Sequence, residues 1–505
     1  MGTRRAKGKG LELRTRTGCN SYEKTLKWQR VKSCDSDFSP LQHIEKWMFL
    51  HASYSDFDAS PSLQLLPEAG LDDSQSSDSD EDVEPAVWAG MMPDPGALST
   101  DNGYIITLPP SLSPLRLTPV ESHLWTYFHR TIAPACVLDP SLNPYQDVIL
   151  KIAASTGNSS PLFHTIMAIS ASQLYILGHR DYHSSSWAYR YQALRSLRLE
   201  TAKLEQEMLD QSSEAQILAT VMTLVFLDIL SDCSASWVVH ANFARSLIYK
   251  LRNYHMPLGQ DIEALLNFVG GYIVVHEVYA HTAWNATIDD VRGGPVTTMC
   301  DDSNLQTLTG CSTEFFQILA DINTLASDYS RCSGLDFADP DMLSSLEYRR
   351  HHLERQLHGY TPACPIDEPG VDVPETILVT ETKRLTGLLH LYSRVDHLGP
   401  CDPCISKLSS QILGLIRRIP ARSNTILWPL FMVATLGIAP ECEEDRVFVL
   451  EKLDLLERAR QMRYIKKAKR IIVGVWKMRD LKDAETRRGW DILQQVGQLE
   501  RISLF

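Results

Sequence analysis

No stretch of this 505-residue sequence alternates apolar and polar residues over a convincing strand length, and no fixed repeat period runs through it. Sandwiches, barrels and repeat solenoids are therefore excluded. No glycine-rich loop precedes a helix and no Gly-x-Ser-x-Gly elbow occurs, so the phosphate cradle of nucleotide enzymes and the nucleophile turn of the hydrolases are both missing. The apolar run from Ile217 to Leu230 falls short of the ~20 residues that a bilayer crossing needs, and Asp228 interrupts it. No apolar segment stands behind the charged N-terminus, so no secretory signal is expected. The 11 cysteines lack regular spacing, which fits reduced thiols in the cytosol or nucleus.

What is present is helical pattern. In SSEAQILATVMTLVFLDIL, from Ser212 to Leu230, Ser213 and Gln216 have the spacing of a capping box, and Ile217, Leu218, Val221, Leu224, Val225 and Leu227 follow at helical intervals. Met222, Phe226 and Ile229 fill the other face, so the spacing predicts a central helix surrounded by others. Thr118-Pro119-Val120-Glu121 announces an earlier helix with a capping residue, a proline at the first position and a glutamate at the third. Ser160-Pro161 opens another that ends at Gly178. A long amphipathic helix follows, with Trp187, Tyr191, Leu194, Leu197, Leu204 and Met208 as its expected buried stripe. Further helices are expected through Trp237 to Leu251, Phe268 to Trp284, Thr313 to Leu325, Leu385 to Tyr392, Ile405 to Ile419, Ile426 to Leu436, Asp445 to Arg458 and Tyr464 to Met478. The fold class expected is all-α: a multi-helical domain over 119–505, with a proline-rich loop at 361–373 that either divides or decorates it.

Charge divides the chain differently. The net charge is -13, yet residues 1–32 carry ten Lys or Arg against Glu12 and Glu23. Overall acidity argues against a whole-surface nucleic-acid binder and leaves the arm at 1–34 as the electrostatic match for phosphates. Arg4, Arg5, Lys7, Lys9, Arg14 and Arg16 are the candidates for DNA contact or nuclear import, and a merely solvated tail is the alternative. Residues 35–118 are rich in Ser, Asp and Pro, and 71–84 reads LDDSQSSDSDEDVE, which is the composition of a disordered linker. Its acidic run lies close to Trp88, Met91 and Met92, in the manner of an acidic-hydrophobic activation segment or a phosphorylated serine tract, although a solvating linker accounts for it too.

The constellations that carry chemistry stop short of it. His276-Glu277 with His281 resembles a zinc-protease helix, but a five-residue step turns the second imidazole by about 140° from the first. Cys401-Asp402-Pro403-Cys404 has redox-type spacing without a surrounding βαβ pattern, so a helix-start turn is expected there. His351, His352 and His358 fall on a strongly charged helix where solvated imidazoles are the default, and Trp187 and Trp237 are expected in the core.

Several short motifs in a fixed order resemble a known family. Arg14-Thr15-Arg16-Thr17-Gly18-Cys19 is similar to the lead-in of the binuclear zinc cluster of fungal transcription factors, and Tyr22 to Trp28 is similar to the segment that follows such a cluster. Trp125-Thr126-Tyr127-Phe128, Thr131-Ala133-Pro134, Asn143-Pro144-Tyr145, Met167 to Leu174, Trp428-Pro429-Leu430-Phe431 and Val475-Trp476 resemble the second type of fungal-specific transcription factor domain, from Pro119 onward. The resemblance implies a nuclear regulator of RNA polymerase II genes, usually of a metabolic pathway, whose helical body meets the transcription machinery or co-regulators and can form a homodimer. A helical interaction scaffold with no promoter role is the alternative, and an enzyme is a third reading that no surviving acid/base or nucleophile constellation supports.

The sequence departs from the family at the cluster itself. Two zinc ions need six thiolates, beginning with a pair three positions apart, to orient a short helix in the major groove. Position 22 is Tyr22, the next cysteine after Cys19 is Cys34, and Cys19 is left as a remnant not expected to bind zinc alone. No cofactor is therefore expected for this chain, zinc being that of intact family members; direct, sequence-specific DNA binding is placed in doubt, and no membrane is expected as a partner.

Overall fold

The computed structural model describes the chain from Arg116 onward, apart from residues 139–142, 206–209, 232–235, 254–257, 284–298, 334–339, 361–373, 421–423, 461, 482–488, 498–501, 503 and 505. The basic arm, nearly all of the acidic linker and the proline-rich loop thus lie outside the described residues. Among those described there are helices and no strands. In chain order they are α1 (Pro119–Tyr127), α2 (Leu150–Thr156), α3 (Pro161–Ile176), α4 (Tyr182–Glu205), α5 (Gln211–Ser231), α6 (Ser236–Arg252), α7 (Gln260–Ala283), α8 (Asp302–Thr309), α9 (Thr313–Ser333), α10 (Pro340–Gly359), α11 (Glu375–Arg394), α12 (Pro403–Arg418), α13 (Leu427–Met432), α14 (Glu443–Arg460), α15 (Arg463–Asp480) and α16 (Gly489–Gly497).

The first helix starts as its spacing predicts. Thr118 Oγ1 accepts from the Glu121 N–H at 3.3 Å, and Glu121 Oε2 accepts from the Thr118 N–H at 2.8 Å, so two otherwise orphaned donors are satisfied reciprocally. Ser160 caps α3 in the same way, accepting from the Phe163 N–H at 3.1 Å, and Gly178 follows that helix at φ +99°, where a Cβ would be strained.

α5 is the centre of the body. Every residue from Ile217 to Leu230 is buried there, and α2, α3, α4, α6, α7 and α15 all pack on it. It is 21 residues long, enough by length and composition to cross a membrane, but 89% of its apolar 18-residue window is enclosed by the neighbouring helices. The capping box expected at Ser213 and Gln216 is not its start. Asp210 supplies the cap, accepting from the Ser213 N–H at 2.9 Å, and the helix gains two residues ahead of Ser213. An aspartate three residues ahead of a backbone donor competes equally well in sequence terms, and it wins here.

α4 departs further from expectation. Trp187, Tyr191 and Leu194, expected inward, are 62%, 54% and 38% exposed; Leu197 and Leu204 are buried as expected, together with Ser186, Ala193 and Thr201, and Met208 lies outside the described residues. Small residues let α4 lie closely along α3, its chief neighbour, and that approach leaves no room for the aromatic rings. α7 begins at Gln260, two turns before the expected Phe268, because Leu265 and Leu266 are also buried and Asp261 and Glu263 favour its positive end. One continuous hydrophobic core joins helices from both sides of the 361–373 loop: α11 packs on α9, α10, α12 and α13.

Candidate functional site

Arg4, Arg5, Lys7, Lys9, Arg14, Arg16 and Cys19 all lie outside the described residues, so the site has to be sought on the helical body. The near-motifs there are occupied by structural tasks. His276 is buried against the Tyr272 ring at 4.3 Å, and burial lowers its pKa to about 3; His281 falls to about 4 by burial, with Arg394 and Arg245 adding to the effect. Glu277, between them, is ion-paired with Arg245. Cys401 and Cys404 are exposed thiols around Asp402, which caps α12 by accepting from the Cys404 N–H at 2.8 Å, with Pro403 at the first helical position: the helix-start turn. His351, His352 and His358 are exposed on α10, and Trp237 is 1% exposed. Among the described residues no group of three or more His, Cys, Asp or Glu side chains is placed to hold a metal ion.

The buried cations are equally committed. Lys383 Nζ donates to the Thr309 carbonyl at 2.7 Å where α8 ends, and Arg394 donates to the His281 carbonyl at 3.1 Å in the last turn of α7. Lys452 donates to the Ile419 carbonyl at 2.6 Å just after α12. Arg479 takes the Thr435 and Ile438 carbonyls at 2.5 and 2.8 Å, and Trp476 takes Ala434 at 2.8 Å, where the π-helical turn Val433–Gly437 releases them. Each cation meets the negative end of a helix, whose last carbonyls have no partner within it. These four buried cations therefore close the fold.

The motifs behind the resemblance are structural as well. Asn143 bridges the early helices, its Nδ2 donating to the Ala133 carbonyl at 3.0 Å and its Oδ1 accepting from the Tyr145 N–H at 3.1 Å. Tyr145 then sits edge-on to Phe268 at 5.0 Å. Trp428 stacks on Tyr279 with ring centroids 4.6 Å apart and donates to Thr282 Oγ1 at 2.7 Å.

Among the described residues, two open grooves stand out on the surface. One of about 550 Å³ lies between α11 and α12, where Arg384 holds Glu381 with two bonds of 2.6 Å and Tyr392 donates to Glu354 at 2.6 Å. The other, of about 1020 Å³, lies between the end of α3 and the length of α15. Its floor includes Tyr175, Ile176, Met462 and Val473; its walls carry Arg180 and, from α15, Arg463, Lys466, Lys467, Lys469, Arg470 and Lys477, with Glu457 the single acid. In the sequence α15 reads as one more amphipathic helix. The signal for the groove was the density of cations from Arg463 to Arg470, on a chain whose net charge is negative.

No curated protein and no solved structure matches the chain. The order of the buried motifs, the all-helical body and its single core agree instead with the profile of the fungal specific transcription factor domain, which matches residues 122–499 and so covers most of the chain. The protein is a fungal transcription regulator by that match, a member of the fungal specific transcription factor domain family.

Proposed function

We propose that this chain acts in the nucleus on RNA polymerase II genes of a metabolic pathway, in a form without an intact DNA-binding zinc cluster. What supports the reading is one combination: the family body over 122–499, preceded by the cluster flanks at 14–19 and 22–28 with nothing but Asn20 and Ser21 between them. The helical body carries regulation and assembly with co-regulators. The arm, through Arg4, Arg5, Lys7, Lys9, Arg14 and Arg16, serves import and touches phosphates without reading bases. Such contacts rest on counterion release, so they are weak and fall steeply with salt. Cys19 holds no zinc by itself, because a lone thiolate provides one ligand of the four that a tetrahedral ion requires.

The deciding experiment tethers the full chain to a reporter promoter through a heterologous DNA-binding domain and follows the location of a fluorescent fusion alongside. A changed reporter output and nuclear accumulation that is lost on removing residues 1–18 are expected. An inert reporter would overturn the regulatory role and favour a scaffold away from promoters. Zinc content and selection from a randomised duplex pool, measured on the purified chain, test the missing cluster separately, and enrichment of one sequence motif would refute that part. Inspection of genomic DNA between the codons for Gly18 and Tyr22 shows whether a cysteine-rich stretch was spliced out.

A further inference from the structure

The basic groove along α15 is placed where helix stability argues against it. Met462, the residue before α15, provides no side-chain capping bond; the first turn contains no acid, and Arg463 and Lys466 stand there instead. Cations at a helix N-terminus oppose the macrodipole, so the cluster is not explained by the helix it sits on. Lys466 pairs with Glu457 at 3.1 Å and Lys469 with Asp454, and the seven cations that line the groove outnumber those two carboxylates.

The floor decides the class of ligand. Tyr175, Ile176 and Val473, half-buried, present apolar surface among the cations, and about 1020 Å³ is far more than a phosphate fills. A nucleic-acid backbone would satisfy the walls and leave the floor wetted. An acidic peptide with bulky apolar side chains satisfies both, since carboxylates meet the rim and an aromatic or methionine side chain covers the floor. We propose that this groove is the docking site for an acidic, apolar-anchored segment of a partner protein. The inference rests on the regulator reading only for the partner's biological role; binding is measured on purified protein, so the two can fail separately.

The probe is a fluorescent peptide with the sequence of residues 71–92, whose seven carboxylates precede Trp88, Met91 and Met92. The protein is the full chain with the carboxylates of 72–84 changed to Asn or Gln, so that its own acidic run does not compete. Anisotropy should show saturable binding that weakens about tenfold or more when Lys466→Glu and Arg470→Glu are introduced together, both being exposed positions. Lys407→Glu in the other groove should leave binding unchanged, and unaltered circular dichroism melts would establish that each variant folds. A peptide with Trp88, Met91 and Met92 changed to Ser should bind more weakly. Absence of binding, or equal binding by the double variant, overturns the proposal. So does a Ser-substituted peptide that binds as well as its parent while random duplex DNA displaces it, which would assign the groove to phosphates.

Discussion

Gly270 lies mid-helix in α7, where alanine is the better helix former by ~1 kcal/mol, yet Gly270→Ala is expected to destabilise the body. A Cβ built there would lie 1.8 Å from the Met299 carbonyl oxygen and 2.8 Å from its carbon, and these are backbone atoms that cannot rotate aside. The same oxygen accepts from Arg252 Nη2 at 3.0 Å, and Arg252 also holds Asn267 at 2.9 Å, so moving Met299 breaks a charge-assisted bond between α6 and the segment ahead of α8. Displacing packed backbone costs about 1–3 kcal/mol and the lost bond about 1.5–3, against the gain of about 1 in propensity; the net loss is about 1.5–5 kcal/mol. Gly414 provides the opposite sign in the same molecule. It is an exposed position of α12 with open space around its missing Cβ, and Gly414→Ala should stabilise by about 0.5–1 kcal/mol. Urea denaturation of the full-length chain, followed by circular dichroism, gives both midpoints. If Gly270→Ala melted with or above the parent while Gly414→Ala behaved as expected, the close approach of Met299 to α7 would be wrong.

Leu224→Asp places an unpaired carboxylate at a position 1% exposed in α5 and should cost more than ~4 kcal/mol, unfolding the body; a parent-like melt would refute the central position of that helix. Asp228, fully buried on the same helix, meets Arg190 at 2.6 Å and His240 at 3.0 Å; burial pushes its carboxyl up, but those partners outweigh it and hold the pKa below the usual range. A depressed carboxyl contributes stability that is complete above the unfolded value near 4 and disappears as pH falls through the folded one. Asp228→Asn should therefore lose about 1–3 kcal/mol at pH 7, discounted because Arg190 can reach water, and the gap to the parent should close in melts below pH 4. Lys383, fully buried beside Tyr279 and Cys311, has its pKa lowered by burial to about 8. Its folded form binds a proton less readily than the unfolded chain, so parent stability should rise between pH 8 and 10 by up to about 3 kcal/mol relative to Lys383→Met; parallel pH profiles would count against the burial of that ammonium.

Helix existence was legible where pattern and chemistry coincide. Thr118-Pro119-Val120-Glu121 and Ser160-Pro161 each combine a capping side chain with a proline whose φ already suits the first turn, and both helices start there. α5 was legible because a helix apolar on every side has nowhere to go but the middle. The face of α4 was legible only in part: Leu197 and Leu204 are buried as their spacing suggests, but hydrophobicity pointed also to Trp187 and Tyr191, and the structure buries Ser186, Ala193 and Thr201 instead, as close packing of α4 on α3 favours small side chains. Hydrophobic pattern ranks residues by size and polarity, and a close helix pair selects for smallness. The start of α5 at Asp210 escaped for a related reason, because several short polar side chains near a helix end can each accept from its first N–H groups. The basic groove was present in the sequence as a run of cations, but its apolar floor comes partly from Tyr175 and Ile176, almost three hundred residues earlier, and no local reading joins the two.

α15 connects these observations. Its inner face is Tyr464, Ile465, Ala468, Ile472 and Val475, closed at the far end by Trp476 and Arg479, whose three bonds hold the carbonyls at 434, 435 and 438. Its outer face is the cationic wall of the groove. A helix fixed this firmly on one side presents the charges on the other at nearly constant spacing, so little ordering cost falls on the folded chain when an anionic ligand arrives. The cost falls on the ligand, which must give up the freedom of a flexible acidic segment, and exposed ion pairs at the rim return only fractions of a kcal/mol each. Affinity in this groove therefore depends on how well an apolar side chain covers Tyr175, Ile176 and Val473, while charge governs the rate of encounter and its sensitivity to salt.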